Sequence, residues 1–292
     1  MLHAASFVLN KVRHQYAIGC SILILIITSL LFVLIPTPFG PHNIEARNVR
    51  EIDPDVDWPQ LGHDPQRTNA TSLQVDPPYC YTWKWYEVPL ASRVQPVVAN
   101  GRLFIGSMNS VMYAREASTG ASLRTFQTDG PLRSSAGVTN DAFIFTSHDG
   151  YTYAVSVNDG SLQWKTRTGP SVTAPVLDSR GIWAYVGSVE GTLTALSIAD
   201  GNVRWIVDSG APILTSPYMS LDETKVFFGN DDIEAVALRI LDGTEVWSTT
   251  LQGQSLMNCD PVVNGTTVIY RSQPLYNFHL LLYEGDDVMD QA

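Results

Sequence analysis

Short apolar runs recur along most of this chain, and each run ends in a small or polar pair. In strands such as Gly191–Leu196, polar threonines alternate with leucine and alanine. Alternation with a period of two is typical of a β-strand and not of an amphipathic helix. Four apolar runs end in the same kind of pair, namely Gly106-Ser107, Thr146-Ser147, Gly187-Ser188 and Gly229-Asn230. The pattern predicts an all-β fold of consecutive antiparallel hairpins.

A glycine turn followed four residues later by tryptophan repeats along the chain. The copies run from Gly160 to Trp164, from Gly201 to Trp205, and from Gly243 to Trp247. Gly120 begins an earlier copy, in which Arg124 replaces the tryptophan. Four strands in a period of roughly 40 residues predict the four-stranded blade of a β-propeller. The glycines supply the positive φ that tight hairpin turns need.

The repeated tryptophans are predicted to be structural. One ligand cannot contact Trp164, Trp205 and Trp247 together if they occupy the same place in different copies, whereas packing between neighbouring copies explains the repetition. Trp85 is assigned to the same position, because it lies as far before Pro96 as Trp164 lies before Pro175.

The fifth copy is incomplete, so the sequence leaves two interpretations of how the ring of blades closes. It offers candidate strands at Val262-Val263, Thr267–Arg271 and His279–Glu284, and after Gly285-Asp286 its tryptophan-bearing fourth strand is missing. In one interpretation, an N-terminal strand at Tyr81–Trp85 completes this blade and removes its exposed edge. In the other, the chain is truncated and lacks several blades. The prediction is therefore four whole units and one partial unit.

The N-terminal region predicts a membrane anchor. Tyr16–Ile35 is an uncharged run rich in Ile, Leu and Val, and it is long enough to cross a ~30 Å hydrocarbon core. Basic residues precede the run and acidic residues follow it, which places residues 1–15 in the cytoplasm and exports the rest. The run exceeds a typical signal-peptide core and no small-x-small site follows it, so an uncleaved anchor is favoured over a cleaved signal. Residues 36–57 form a proline-rich spacer, and residues 58–292 form the propeller.

The net charge limits the classes of binding partner, and the cysteine content limits the possible disulfides. The net charge of −11 opposes binding to nucleic acid. In an exported domain, Cys80 and Cys259 are the only cysteines that could form a disulfide. The predicted topology places them on opposite rims, which argues against the bond.

The segment Asp57–Thr68, with the turns DGSLQW, DGNVRW and DGTEVW, resembles the pyrroloquinoline quinone (PQQ)-like β-propeller family over about residues 57–284. That family includes quinoprotein alcohol dehydrogenases, which use PQQ, and non-enzymatic relatives such as the lipoprotein subunit of the outer-membrane β-barrel assembly machine. Its propellers usually have seven or eight blades, more than this chain shows.

The resemblance implies that a quinoprotein dehydrogenase would hold PQQ beneath two adjacent cysteines, with Ca²⁺ bound by acidic and amide side chains and a catalytic Asp. This chain has no adjacent cysteine pair. Its only adjacent aspartates, Asp231-Asp232 and Asp286-Asp287, do not by themselves supply the converging oxygen ligands of a Ca²⁺ site and are interpreted as solvated loop carboxylates. His63 and His148 are interpreted as surface histidines. No catalytic, cofactor or metal residue is assigned, and no cofactor is expected.

These patterns together predict a membrane-anchored, extracytoplasmic propeller that serves as a protein-binding or scaffold module of the cell envelope. The candidate binding segments are the connections between units, Ser171–Thr173, Gly210–Leu214 and Gln252–Asn258, since rigid scaffolds present variable loops. The alternative is a quinoprotein oxidoreductase or a divergent fragment of one, with PQQ and Ca²⁺ as its cofactors. A polysaccharide binder of the envelope would carry the same sequence features as a protein binder.

Overall fold

The chain folds into a series of small antiparallel sheets. The computed structural model describes residues 51–53, 56–74, 77, 80–86, 88–252, 255–257, 259–264 and 267–270. Within these residues there are four four-stranded sheets and one two-stranded sheet, which we call units one to five in chain order. In each sheet the strands are neighbours in chain order. The predicted all-β fold of consecutive hairpins is therefore confirmed.

The strands have closely similar lengths from unit to unit. Unit one contains β1 (Val97–Ala99), β2 (Arg102–Gly106), β3 (Val111–Glu116) and β4 (Ser122–Gln127). Unit two contains β5 (Gly137–Val138), β6 (Ala142–Thr146), β7 (Tyr151–Ser156) and β8 (Leu162–Arg167). Unit three contains β9 (Val176–Leu177), β10 (Trp183–Gly187), β11 (Thr192–Ser197) and β12 (Val203–Asp208). Unit four contains β13 (Tyr218–Met219), β14 (Lys225–Gly229), β15 (Glu234–Arg239) and β16 (Glu245–Thr250), and unit five contains β17 (Val262–Asn264) and β18 (Thr267–Ile269).

Burial differs across each sheet. The second strands, such as β6, are buried along almost their whole length, whereas the fourth strands β4 and β16 are mostly exposed. Strands covered on both faces read as continuous apolar runs, which explains the sequence AFIFT of β6. The inner strands therefore form the core and the fourth strands form the periphery.

The core lies between neighbouring units. One cluster joins units one and two through Phe104, Phe143 and Phe145, and another joins units three and four through Tyr185 and Phe228. Further clusters join units two and three and units four and five. Each unit thus buries the face of the next, which is how repeat proteins build a continuous core.

A recurring alanine pairs with the residue at the tryptophan position. Ala154 lies opposite Trp164 and Ala195 opposite Trp205, and the register shifts immediately after each alanine. The same pairing and shift occur at Ala237 in unit four. A bulge of this kind increases the local twist and redirects the side chains that follow it. The recurring alanine therefore lies beside the large indole.

The predicted closure by an N-terminal strand is not found among the described residues. Residues 80–86 form no strand there, and β17 and β18 pair only with each other. The candidate strand His279–Glu284 and the acids Asp286-Asp287 lie outside the described residues.

The part of the chain that the structure describes contains no helix long and apolar enough to span a membrane. The predicted anchor Tyr16–Ile35 lies outside that part.

Candidate functional site

Residues 58–67, which we call the central segment, run past the first strands of four units. Trp58 pairs with Val98 of β1 through two backbone hydrogen bonds of 2.6 and 2.8 Å. The Pro59 carbonyl accepts a hydrogen bond from the amide of Val138 in β5. Further along, the Pro65 carbonyl accepts from the amide of Met219 in β13. Because each first strand is the edge of its sheet, the central segment lies where these inner edges converge.

Gln60 makes the corresponding contact with unit three through its side chain. Its Oε1 accepts from the Leu177 amide at 3.1 Å, and its Nε2 donates to the Leu177 carbonyl at 3.4 Å. The side-chain amide thus replaces a strand partner for β9. The central segment satisfies edge groups that would otherwise lie buried without partners.

Arg67 ends the central segment and is 1% exposed. Its guanidinium donates to the carbonyls of Pro217 and Ala174 at 3.1 and 3.2 Å and lies 4.8 Å from the centre of the Tyr218 ring. Its Nη1 has no hydrogen-bond partner among the described residues. Burial lowers the pKa of Arg67, and the charge of Asp260 acts in the opposite direction. The guanidinium therefore ties units three and four together at the centre.

Arg93 makes a second link across the centre. It donates from Nη1 to the Leu214 carbonyl at 2.8 Å and from Nη2 to Oδ1 of Asp260 at 3.3 Å. The same carboxylate oxygen accepts from the Ser216 amide. Arg93 precedes unit one, so this ion pair brings the start of unit one to the starts of units four and five. Neither Arg67 nor Arg93 was singled out from the sequence, because their partners lie far away along the chain.

Of the connections predicted to bind a partner, Ser171–Thr173 is largely buried, which corrects that part of the prediction, whereas the other two are buried only in part. Ser171 and Thr173 are 1% and 0% exposed, and both hydroxyls donate to the Gly187 carbonyl. In the second connection, Ile213 is fully buried and Ala211 is 6% exposed. In the third, Leu256 is 1% exposed, whereas Met257 is 43% exposed. Ser171 and Thr173 hold the start of unit three to its second strand, because their hydroxyls are satisfied internally.

The described residues contain no group of three or more His, Cys, Asp and Glu side chains that could hold a metal ion. His63 packs edge-on against Trp58 and lies 3.6 Å from the Asp64 carboxylate. Burial by itself raises the pKa of Asp64, but the hydrogen bonds from His63 and Thr68 outweigh burial and the pKa is lowered. His148 is exposed, as predicted, whereas the His63 side chain is only 12% exposed, so its interpretation as a surface histidine is corrected.

The two cysteines that could have paired do not form a disulfide. Cys80 is exposed, whereas Cys259 is 1% exposed, and both are free thiols.

The tryptophans of units two and three reach the next unit in the same way. The Trp164 Nε1 donates to the Ile198 carbonyl at 2.8 Å, and the Trp205 Nε1 donates to the Ile240 carbonyl at 3.0 Å. Each indole lies over the turn glycine of the next unit. A Cβ added to Gly201 would lie 2.6 Å from the Trp164 ring. The turn therefore requires glycine for two reasons: its φ of 71° is unfavourable for other residues, and the indole leaves no room for a Cβ.

Before unit one, the corresponding contact is made by Trp83, and the assignment of Trp85 to this position is corrected. The Trp83 Nε1 donates to the Ala117 carbonyl at 2.9 Å, and its ring lies over Gly120. Trp85 packs against Tyr113 and Arg115.

Trp85 was assigned in place of Trp83 because the connection that leads into unit one is longer than the one that leads into unit three. The stretch that leads from the indole to the next unit is two residues longer before unit one than before unit three, so counting back from Pro96 selected the wrong tryptophan. Counting forward would have found it, because Trp83 precedes Ala117 by 34 residues, as Trp164 precedes Ile198.

One rim of units three and four carries exposed apolar side chains. Ile182, Leu221 and Leu241, which we call the apolar rim, are 45%, 68% and 61% exposed. Hydrogen bonds tie the loops that carry them. The Ser179 amide donates to the Glu223 carboxylate at 3.2 Å, and the Ile240 amide donates to the Thr224 carbonyl at 3.1 Å. The loops are therefore held in place and still present apolar groups to solvent.

The corresponding loops of units one and two are polar. They carry Asn100-Gly101 and Asn140-Asp141 between the first two strands, and Ser118-Thr119 and Asn158-Asp159 between the last two. Clustered exposed apolar groups mark interaction surfaces more often than isolated ones do. The apolar rim is the candidate interaction site of this protein.

A cleft of about 520 Å³ opens beside the apolar rim, between units four and five. Its walls are formed by Ser220, Leu221, Asp222, Lys225, Phe227, Trp247, Val263 and Val268. The hydroxyl of Ser220 donates to Asp222, and this bond, with those from Thr224, lowers the pKa of Asp222 to about 2. The floor of the cleft is apolar and its edge is charged.

Comparison with known proteins identifies the family. The family described as outer membrane protein assembly factor BamB matches residues 69–184 and 128–275. The outer membrane protein assembly factor BamB of Moranella endobia (strain PCIT) is 27% identical over 172 residues, which cover 53% of this chain and 44% of that protein. The protein of the same name from Yersinia pestis is 25% identical over 193 residues, covering 60% and 47%. The chain spans about half the length of these curated relatives.

Solved structures share the fold. The quinohemoprotein alcohol dehydrogenase from Comamonas testosteroni superposes with a TM-score of 0.55 at 16% identity, covering 70% of this chain and 42% of that chain. The quinohemoprotein alcohol dehydrogenase ADHIIG from Pseudomonas putida HK5 gives the same TM-score at 13% identity, covering 72% and 42%. At this identity the likeness extends to the fold alone, and it supports the predicted PQQ-like β-propeller.

Proposed function

The chain belongs to the family of the outer membrane protein assembly factor BamB, and from this premise we propose that it is a non-catalytic propeller that binds a protein partner in outer-membrane protein assembly. The family membership carries the proposal. The relatives are assembly factors by name, and a rigid stack of antiparallel sheets suits a scaffold that presents a surface to another protein.

The apolar rim is the surface that we assign to the partner. Leu221 and Leu241 are both largely exposed on hydrogen-bonded loops, so binding would bury apolar area with little loss of conformational entropy. Unit one and unit two offer polar loops at the same rim. The partner would therefore contact units three and four.

The quinoprotein alternative does not fit the residues at the centre. The central segment occupies the place where the first strands converge, and Arg67 is buried there against two carbonyls. The sequence also lacks the adjacent cysteines that a quinoprotein dehydrogenase is expected to use. No reaction step is therefore assigned to PQQ or Ca²⁺.

In this proposal the segment Tyr16–Ile35 tethers the protein to the membrane. The uncharged run and the preceding basic residues support a single span with the propeller outside the cytoplasm. Residues 36–57 would then separate the propeller from the bilayer.

The test is complementation in the host from which the gene is deleted. We expect deletion to lower the amount of folded outer-membrane β-barrel proteins, measured by their heat-modifiable migration in gels. The full chain should restore that amount. The double variant Leu221→Glu with Leu241→Glu should fail to restore it, because two carboxylates would replace apolar contacts.

The matched control is Leu123→Glu with Leu162→Glu. These leucines are 42% and 45% exposed on the fourth strands of units one and two and are not part of the apolar rim, and this variant should complement fully. Unchanged barrel proteins after deletion would refute the assembly role. Full complementation by the rim variant would refute the assigned surface.

A further inference from the structure

We propose that Glu223 is a positioning residue of the apolar rim, which holds Ile182 and Leu221 together as one binding surface. Ile182 lies in the turn between the first two strands of unit three (residues 178–182, turn three), and Leu221 lies in the equivalent turn of unit four (residues 220–224, turn four). The proposal rests on the proposed function, in which a partner binds this rim. Two separate observations carry it: a left-handed backbone at a residue other than glycine, and a side chain that reaches the neighbouring unit.

Turn three and turn four have the same internal hydrogen bonds. The Gly181 amide donates to the Asp178 carbonyl at 3.0 Å, and the Glu223 amide donates to the Ser220 carbonyl at 2.9 Å. In both turns, the side chain of the first residue accepts from the amide of the last turn residue and from the amide that follows it. Glu223 therefore occupies the position that Gly181 occupies in unit three.

Glutamate is an unfavourable residue at this position. The φ of Gly181 is 65° and that of Glu223 is 49°, and a left-handed backbone is strained for a residue that carries a Cβ. The corresponding turn of unit one also places a glycine in this region, Gly101 with a φ of 73°. Strain that is kept in an otherwise regular turn indicates that the side chain has a use which outweighs it.

The Glu223 side chain is half-buried and accepts a hydrogen bond from the neighbouring unit. Both of its carboxylate oxygens lie 3.2 Å from the amide nitrogen of Ser179 in turn three. In a β-turn closed between its first and fourth residues, the amide of the second residue has no partner within the turn. Glu223 supplies that partner, so the strained residue is also the one that joins turn three to turn four.

Turn three meets the corresponding turn of unit two through an apolar contact instead. Cγ2 of Thr139 would lie 3.5 Å from a Cβ on Gly181, which is an ordinary van der Waals distance. The hydrogen-bonded junction is therefore the one that carries the apolar rim.

The two joined turns hold the apolar side chains of the rim. The Ile182 amide is bound by the Asp178 carboxylate at 2.6 Å, so this residue is fixed within turn three. Leu221 is fixed within turn four, and Leu241 is tied to the same turn because the preceding amide donates to the Thr224 carbonyl. The carboxylate of Glu223 then sets the spacing between unit three and unit four at the rim. A partner that contacts both units would bind a surface that is already ordered.

The first test compares two substitutions of Glu223 in the full chain, by complementation of the deletion host and by thermal melting. Glu223→Gln keeps an oxygen acceptor and should restore the folded barrel proteins. Glu223→Gly relieves the left-handed strain and should melt at least as high as Glu223→Gln. It should nevertheless restore less than about half of the folded barrel protein, because the two turns are no longer joined. A residue with a purely structural role would complement in the order of its stability.

The Ser179 amide provides a matched test from unit three. Proline is favoured at the second position of a β-turn and has no N–H, so Ser179→Pro should keep turn three and remove only the donor. This variant should fail to complement, and combining it with Glu223→Gly should cause no further loss. Ser179→Ala keeps the amide and is the control, which should complement fully.

Hydrogen exchange of turn three tests the bond independently of the assembly role. Mass spectrometry of the peptide that spans the turn should show exchange of the Ser179 amide about fivefold faster or more in Glu223→Gly than in the unaltered chain. Equal exchange in the two proteins, or full complementation by Glu223→Gly or Ser179→Pro, would overturn the proposal. Faster exchange together with full complementation by Leu221→Glu with Leu241→Glu would refute the rim as the binding surface, and with it the positioning role, while the bond itself would stand.

Discussion

The junction between units one and two and the junction between units two and three use the same position differently. Arg124 and Trp164 both lie four residues after a turn glycine and opposite an alanine. Trp164 is 9% exposed and donates to the Ile198 carbonyl at 2.8 Å. Arg124 is exposed and donates to the Asn158 carbonyl at 3.1 Å.

Both side chains lie over the next glycine. A Cβ added to Gly160 would lie 2.7 Å from Cδ of Arg124, much as one on Gly201 would meet the Trp164 ring. The position therefore requires a slender or flat group and an N–H donor, which an arginine stem and guanidinium also provide. The two junctions differ in the apolar area that they bury.

The largest expected effect on stability comes from truncating the side chain at each junction to alanine, and it should differ between the two junctions. Trp164→Ala should reduce the free energy of unfolding by ~3–5 kcal/mol, because it leaves a cavity and removes a hydrogen bond. Arg124→Ala should cost below ~1 kcal/mol, because its head group is already solvated. Urea titrations followed by circular dichroism measure both values.

The reciprocal variant sharpens this prediction. Arg124→Trp should raise stability if buried area is what separates the two junctions. Equal losses for Trp164→Ala and Arg124→Ala would show that the hydrogen bond, and not burial, decides the strength of a junction.

The next largest effect on stability comes from replacing turn glycines. It separates the cost of steric overlap with a Cβ from the cost of the left-handed backbone conformation. Gly201 and Gly210 have φ values of 71° and 77°, but only Gly201 would place a Cβ against an indole, since nothing lies within 4 Å of Gly210. Gly210→Ala should cost ~1–2 kcal/mol for the left-handed conformation. Gly201→Ala should cost a further ~1–3 kcal/mol for overpacking.

A double-mutant cycle checks the cause. In the Trp164→Ala background, Gly201→Ala should cost less than in the wild-type protein, because the ring has been removed; Thr166 Oγ1, 2.8 Å from the added Cβ, accounts for what remains above the cost of Gly210→Ala. If the cost of Gly201→Ala stays the same in both backgrounds, the indole is not a reason why this turn requires glycine.

The smallest expected effect is on the dependence of stability on acidic pH. The backbone amide and the hydroxyl of Ser161 donate to Asp159 and lower its pKa from 3.8. Since the folded pKa lies below the unfolded pKa, the stabilisation is complete above pH ~4 and is lost as the pH falls below that value. In unit one, Thr119 accepts the corresponding amide hydrogen bond from Ala121 and does not titrate.

Asp159→Thr should therefore keep the turn at neutral pH and reduce the loss of melting temperature between pH 5 and pH 2. The control for net charge is Asp141→Thr, which changes an exposed acid of unit two and should leave the acid dependence nearly unchanged. A steeper acid dependence in Asp159→Thr would contradict the assignment.

Local patterns predicted most of the fold. The strand alternation, the turn glycines and the regular spacing of the repeat depend on neighbours in the sequence, and the sheets follow them. The position of Trp83 was missed because the connection before unit one is longer than that before unit three. The rim connections were predicted to bind a partner because a rigid scaffold presents variable loops, but the carbonyl partners of Ser171 and Thr173 could not be read from the sequence.

The candidate site was less accessible from the sequence. The exposure of Ile182, Leu221 and Leu241 depends on which strand ends share a rim. The roles of the central segment, of Arg67 and of Arg93 depend on carbonyls that lie far along the chain. No local pattern encodes such distant pairs.

The sequence by itself determined the class of fold, the repeat and the turn chemistry, because these follow from side-chain alternation and from φ preferences within a few residues. Only the tertiary structure decided that residues 58–67 line the inner edges, that Ser171 and Thr173 are buried, and that units three and four expose an apolar rim. The physical reason is that burial and hydrogen-bond satisfaction belong to the assembled units, and a strand acquires them only when its neighbours are in place.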